Sequence, residues 1–135
     1  MTFLVDANIL SEVTKAEPHS AVVEWLRRHE PRLAVNGVVL GEIRFGILLL
    51  PRGKRRDRLQ QWFEEVVSQI HCLPWEAKTG LRWAELLADL RRKGLAMPIK
   101  DSLIAATALE HDLRIVSRNR RDFELAGLQV LNPFG

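Results

Sequence analysis

Short, continuously apolar runs alternate along this chain with segments in which apolar residues recur at helical spacing. A run that is apolar at every position, instead of at every second one, indicates a strand buried on both faces. Such strands belong to parallel sheets that are covered by helices. The predicted strands are residues 3–5, 33–35, 70–73, 114–116 and 128–131. We therefore expect a three-layer α/β/α fold with a central parallel sheet of four or five strands.

The length and composition predict one domain, residues 1–135. A chain of 135 residues with 47% hydrophobic composition can bury a core without disulfide or metal staples. The stretches rich in Pro and Gly, near residues 51–53 and 94–98, are only a few residues long and are predicted to be loops within that domain.

Cysteine content and the amino-terminal residues bear on the compartment. Cys72 is the only cysteine, so no intrachain disulfide can form, and we expect its side chain to fill core space. Residues 1–10 lack the basic segment of a signal peptide, and no uncharged run approaches the roughly 18 residues that a membrane span needs. These features predict a soluble cytoplasmic protein with no membrane partner.

The charge is mildly basic, with a formal net charge of +3. Basic residues cluster at positions 52–58, 91–93 and 118–121. Each cluster is compatible with a solvated helix end or with phosphate binding. Composition therefore permits a nucleic-acid partner without requiring one.

Three aspartates lie where the loops of a parallel sheet converge, at the carboxyl ends of its strands. Asp6 directly follows the first predicted strand, Asp101 opens an apolar helix, and Asp122 follows the fourth strand. Each could instead be a helix cap. At Asp101 the capping interpretation lacks support from a capping box, because residue 104 is Ile.

Glu42 is the fourth candidate, and it lies in the apolar segment 38–50, where Arg44 is the only other charged residue. A buried carboxylate needs a partner, because an isolated buried charge is very costly. Arg44 is a poor partner, since residues two apart do not face each other on a helix. A metal ion is the alternative.

Crowded carboxylates repel one another unless a cation lies between them. Oxygen ligands favour Mg²⁺, with Mn²⁺ as a substitute, over Zn²⁺. The histidines are scattered without ligand spacing, at positions 19, 29, 71 and 111. A carboxylate-held Mg²⁺ is suited to phosphodiester hydrolysis.

Five short motifs together resemble the ordered motifs of PIN-domain ribonucleases, above all the VapC and FitB toxins. They are VDANIL at 5–10, GEIRFG at 41–46, IKDSLIAATAL at 99–109, SRNRRDF at 117–123 and a closing LNPF at 131–134. The resemblance implies a Mg²⁺-dependent endoribonuclease, the toxin of a type II toxin–antitoxin system. It also implies a homodimer, an RNA substrate such as a transfer RNA, and a cognate antitoxin of the VapB or FitA type.

The resemblance further implies roles for the four acids. Asp6 and Asp101 would bind Mg²⁺ directly. Glu42 would complete the acidic cluster and help to hold the metal or activate water. Asp122 would be the fourth acid of the catalytic set.

Two further positions, Ser117 and Asn119, would support the wall of the site that carries Asp122. Ser117 stands where the family more often has Thr. The chain also departs from the family at Ala7, where Thr or Ser is usual, and we expect this change to tune the site without abolishing it.

Three alternatives compete with this interpretation. The first is a non-catalytic interaction protein with the same fold. The second is a phosphoacceptor receiver domain, which needs a lone Asp after its third strand and a Lys after its fifth, and residues 71–75 and 131–134 supply neither. The third is a flap-type nuclease for structured DNA, which needs additional acids and a helical clamp.

Overall fold

The computed structural model describes residues 1–135, and its centre is a sheet of five parallel strands. The strands are β1 (Phe3–Val5), β2 (Leu33–Asn36), β3 (His71–Leu73), β4 (Arg114–Val116) and β5 (Val130–Leu131). Each coincides with a predicted apolar run, so the predicted strands and the parallel α/β architecture are confirmed.

Seven α-helices flank the sheet. They are α1 (Ala7–Leu10), α2 (Ser20–His29), α3 (Gly37–Leu48), α4 (Lys54–Glu65), α5 (Ala77–Arg92), α6 (Ile99–Glu110) and α7 (Arg120–Leu125). Short 3₁₀ turns occupy Ser11–Thr14, Glu30–Arg32 and Val67–Gln69. None of the helices combines the length and the apolarity that crossing a lipid bilayer requires.

The strand order β3-β2-β1-β4-β5 reverses direction at β1. The chain first adds β2 and β3 on one side of β1, and then adds β4 and β5 on the other side. Right-handed crossovers therefore place the helices before β3 on one face and the helices after it on the other. The crevice between the carboxyl ends of β1 and β4 is the switch point at which such sheets usually bind ligands.

The core explains why the strands are apolar at every position. Leu4 of β1 pairs in register with Ala34 of β2 and with Ile115 of β4, and all three residues are fully buried. They belong to one connected core of 26 buried apolar residues.

The two edge strands are less buried: both residues of β5 are half-buried, and β3 exposes two of its three residues. His71 and Cys72 are exposed, and only Leu73 is buried. The prediction that Cys72 fills the core is therefore wrong. The reason is position, because an edge strand has a neighbour on one side only.

Helix α3 begins where Asn36 caps it, since the Asn36 Oδ1 accepts a hydrogen bond from the Val39 backbone N–H at 3.1 Å. The helix buries Val39, Ile43 and Ile47 against the core. Its opposite face exposes Phe45, Leu48 and the adjoining Leu49. This helix therefore has two apolar faces and only one of them is covered.

Candidate active site

Asp6 lies at the switch point, directly after β1, and is 4% exposed. Its Oδ1 accepts the Ala7 backbone N–H at 2.8 Å, so the residue caps α1 as the capping interpretation predicted. Its Oδ2 accepts the Ser117 hydroxyl at 2.7 Å and the Asn8 side-chain amide at 3.4 Å. One carboxylate can therefore serve both as the cap of α1, through Oδ1, and as a candidate metal ligand, through Oδ2.

Asp101 approaches the same crevice from the first turn of α6 and is 6% exposed. The expectation that it opens this helix is wrong by two residues. The Pro98 carbonyl accepts the Ser102 backbone N–H at 3.0 Å, so the helix begins at Ile99. Asp101 is thus free of the N-cap role, and its side chain faces the site.

Asn119 links Asp101 to the fourth acid. Its side-chain amide donates to the Asp101 Oδ2 at 2.6 Å and to the Asp122 Oδ2 at 2.9 Å. Its backbone N–H donates to the Ser117 Oγ at 2.9 Å. Ser117 and Asn119 therefore form a connected wall that orients three of the predicted acids, Asp6, Asp101 and Asp122.

Glu42 reaches the site from α3, and its partner is Lys100. The Lys100 Nζ lies 3.0 Å from the Glu42 Oε2. The other oxygen of Glu42, Oε1, is buried and accepts no hydrogen bond. The sequence spacing disfavours Arg44 as a partner, and the cation that pairs with Glu42 comes from another helix.

Lys100 and Asn8 are the two site residues that sequence reasoning missed. Lys100 directly precedes Asp101 within a matched motif, and Asn8 follows Asp6 by two positions. Asn8 contacts the Ser117 hydroxyl at 3.5 Å, and its Oδ1 accepts the Arg118 backbone N–H at 3.2 Å. Proximity to the aspartates was the only signal that could have found them.

The electrostatics of the site disfavour ionisation of its two buried aspartates. Burial raises the pKa of Asp6, although hydrogen bonds from Ser117 and Ala7 oppose the shift. Burial and the nearby Asp6 charge raise the pKa of Asp101 from 3.8 to about 6. The hydrogen bond to Glu42 raises the pKa of Lys100. Ionising both aspartates is therefore unfavourable without an added cation.

The donors of this site fit a hard divalent cation. No set of three or more acidic, histidine or cysteine side chains is arranged closely enough to enclose an ion. Mg²⁺ does not need such a cage, because it usually keeps several waters and binds through one or two carboxylates. Asp6 and Asp101 supply two carboxylates, and Glu42 lies near enough to Asp6 for its charge to act on it.

The Ala7 position has no hydroxyl to offer, and its side chain is buried in the core. Its backbone N–H nevertheless binds Asp6. The contact that a Thr or Ser side chain could make is thus missing, while the orientation of the aspartate is kept.

Comparison with known proteins identifies the family of this chain. The sequence matches the family model described as PIN domain over residues 3–128. It is 34% identical to the VapC ribonuclease Y4jK of Sinorhizobium fredii, over 97% of this chain and 96% of that protein. It is 27% identical to the toxin FitB of Neisseria gonorrhoeae, over 97% of each chain.

The fold agrees as well. The crystal structure of FitAcB from Neisseria gonorrhoeae superposes with a TM-score of 0.92 at 27% sequence identity. The match covers 98% of this chain and 99% of that chain. The similarity in sequence and in structure thus extends over nearly the whole molecule.

Proposed function

The chain belongs to the PIN-domain family, and on that premise we propose that it is a metal-dependent endoribonuclease acting as the toxin of a toxin–antitoxin pair. The observation that carries the proposal is the convergence of Asp6 and Asp101 on one crevice, both buried and both with a raised pKa. Such a site costs stability unless it binds a cation. The proposal covers residues 1–135 as one domain that works in the cytoplasm.

In this proposal Asp6 and Asp101 hold a Mg²⁺ ion, for which Mn²⁺ can substitute. A bound divalent ion would lower the pKa of the attacking water and neutralise charge on the scissile phosphate. Glu42 completes the acidic set, where it would help to hold the metal or activate water. Asp122 acts with Asp101 through the amide of Asn119.

The remaining polar residues hold these acids in place. The Ser117 hydroxyl donates to Asp6 and fixes the rotation of its carboxylate. Asn119 holds Asp101 and Asp122 together although both are acids, because its amide supplies a hydrogen to each of them. Orientation of this kind is what a reaction that depends on positioning requires.

The RNA substrate is expected to approach across the basic side of the crevice. Arg55 lines a cavity of about 290 Å³ together with Glu42 and Asn8, so a cationic side chain shares this cavity with one of the four acids. Phosphate contacts of this kind give affinity without sequence preference. We propose a structured RNA, such as a transfer RNA, as the target.

A cognate antitoxin of the VapB or FitA type is the proposed protein partner, and the toxin is proposed to form a homodimer. The exposed apolar residues on and next to α3, with Phe45 63% and the adjoining Leu49 68% accessible, support a protein-binding role for the helix that carries Glu42. Exposed apolar patches of this kind are typical of protein interfaces.

The experiment that tests the proposal is cleavage of total bacterial RNA by the purified protein with Mg²⁺ or Mn²⁺. EDTA-treated protein and the Asp6→Asn variant are the controls. We expect discrete fragments that require both the metal and Asp6. If the antitoxin-free protein binds neither ion and cleaves nothing, the non-catalytic interaction protein becomes the better description.

A further inference from the structure

Lys100 is a cation placed inside the acidic site, and the proposed mechanism gives it no role. Its Nζ lies 3.0 Å from the Glu42 Oε2, and the two side chains are 52% and 32% exposed. It directly precedes Asp101 on α6. Its charge acts on Glu42, Asp101 and Asp6, so it neutralises part of the same cluster that a metal would neutralise.

Only one of the two carboxylate oxygens of Glu42 takes part in this ion pair. The Oε2 is bound to Lys100, whereas the buried Oε1 has no hydrogen-bond partner. A buried carboxylate oxygen without a partner is costly, and a carboxylate held on one side by a flexible lysine can exchange that partner for another cation. The pair is therefore suited to a change of partner.

We propose that Lys100 is a positioning residue that competes with the divalent ion for Glu42. In the metal-free protein its ammonium holds Glu42 toward α6 and offsets the acidic charge. Binding of the ion would draw Glu42 away from Lys100 and leave the ammonium beside the crevice. Lys100 thus sets the metal concentration at which the site becomes occupied. This inference rests on the proposed metal site.

The test is a measurement of Mn²⁺ affinity by electron paramagnetic resonance or titration calorimetry, without RNA. Lys100→Met removes the competing charge, and we expect it to tighten Mn²⁺ binding by about fivefold. Lys100→Arg keeps a cation in place and should stay close to the wild type. The affinity of the metal, and not the cleavage rate, is the primary readout.

Glu42→Gln provides the second arm of a double-mutant cycle. If Lys100 acts through Glu42, the tightening caused by Lys100→Met should largely disappear in the Glu42→Gln background. If the tightening is equal in both backgrounds, Lys100 acts as a general charge and the competition is overturned. If Lys100→Met leaves the affinity unchanged or weakens it, the inference is also overturned.

Lys78→Met is the matched control. Lys78 pairs with Glu110, 3.7 Å away, and Glu110 lies ten residues after Lys100 on α6, about 15 Å along the helix axis. This variant also breaks a lysine–glutamate pair that joins α6 to another helix, and it should leave Mn²⁺ affinity unchanged. Wild-type protein that binds no Mn²⁺ would instead reject the proposed metal site itself, so the two failures are distinguishable.

Discussion

Helix α6 carries a carboxylate near each end, and the two acids have opposite surroundings. Glu110, its last residue, accepts a hydrogen bond from the buried Thr79 hydroxyl and lies within ion-pair distance of Lys78 and His111. Asp101, in the first turn, accepts one amide hydrogen from Asn119 and faces other acids.

The difference shows how this chain separates stability from function. At the amino-terminal edge of the sheet an acid accepts a hydroxyl hydrogen bond and lies near a lysine, which suits a structural role even though its Oε2 accepts no hydrogen bond. At the carboxyl edge acids are gathered against one another, which costs stability in the absence of a metal. The same helix therefore supports the fold at one end and the candidate site at the other.

The largest expected effect comes from replacing the acid at the amino-terminal end of α6, and it is an effect on RNA cleavage. Asp101→Asn should reduce metal-dependent RNA cleavage by at least about a hundredfold. It removes a metal ligand, and a weakly held metal would stabilise less of the charge that develops on the phosphate. The metal-free variant should be as stable as the wild type or more stable, since repulsion is relieved. RNA cleavage and urea unfolding measure the two effects. Full activity in this variant would contradict the proposed site.

At the other end of α6 the expected effect is on stability alone. Thr79→Val keeps the side-chain shape but removes the hydroxyl that donates to Glu110 and accepts the Glu76 backbone N–H. The free energy of unfolding should fall by about 1–3 kcal/mol, the usual cost of leaving buried polar groups unsatisfied. Urea denaturation measures this loss, and cleavage per folded molecule should not change.

A pH series tests how far the ionised carboxylate of Asp101 destabilises the fold. The pKa of Asp101 is raised from 3.8 to about 6, so the folded protein binds this proton more tightly than the unfolded chain does. The ionised group therefore destabilises the fold above that pKa, and the penalty fades as the pH falls toward 3.8. The stability advantage of Asp101→Asn over the wild type should be largest above pH 6 and should shrink at lower pH. Urea unfolding in EDTA checks this, and a constant difference would contradict it.

The smallest expected effect comes from replacing Arg55, which shares a cavity with Glu42. Arg55→Gln should weaken RNA binding and lower the slope of log affinity against log salt by about 0.7 to 0.9, which corresponds to one lost phosphate contact. The matched control is Arg28→Gln, on α2 near the amino-terminal edge, which breaks only an exposed pair with Glu24. Equal slopes for both variants would assign Arg55 to the solvated surface.

Much of the fold could be predicted because its signals are local. The five strands are short and mostly apolar, and such runs are typical of strands that are buried on both faces of a parallel sheet. The position of Asp6 followed from its strand alone. The helix start at Ile99 did not follow, because Pro98 and Asp101 both fit a cap and only the backbone hydrogen bond distinguishes them.

The exposure of Cys72 could not be predicted either. Its segment resembles the other strands in composition, and only the strand order places it at an edge of the sheet. The order of strands is a property of how the whole chain is wound, and a three-residue run carries no record of it.

The sequence by itself determined the elements of this protein and the acids that follow them, because strand burial, helix spacing and short motifs act over a few residues. Only the tertiary structure decided which side chains meet. The pairing of Glu42 with Lys100 and the hydrogen bond from Asn119 to Asp101 join different elements. Such contacts depend on distances set by packing of the whole core, so no local pattern specifies them.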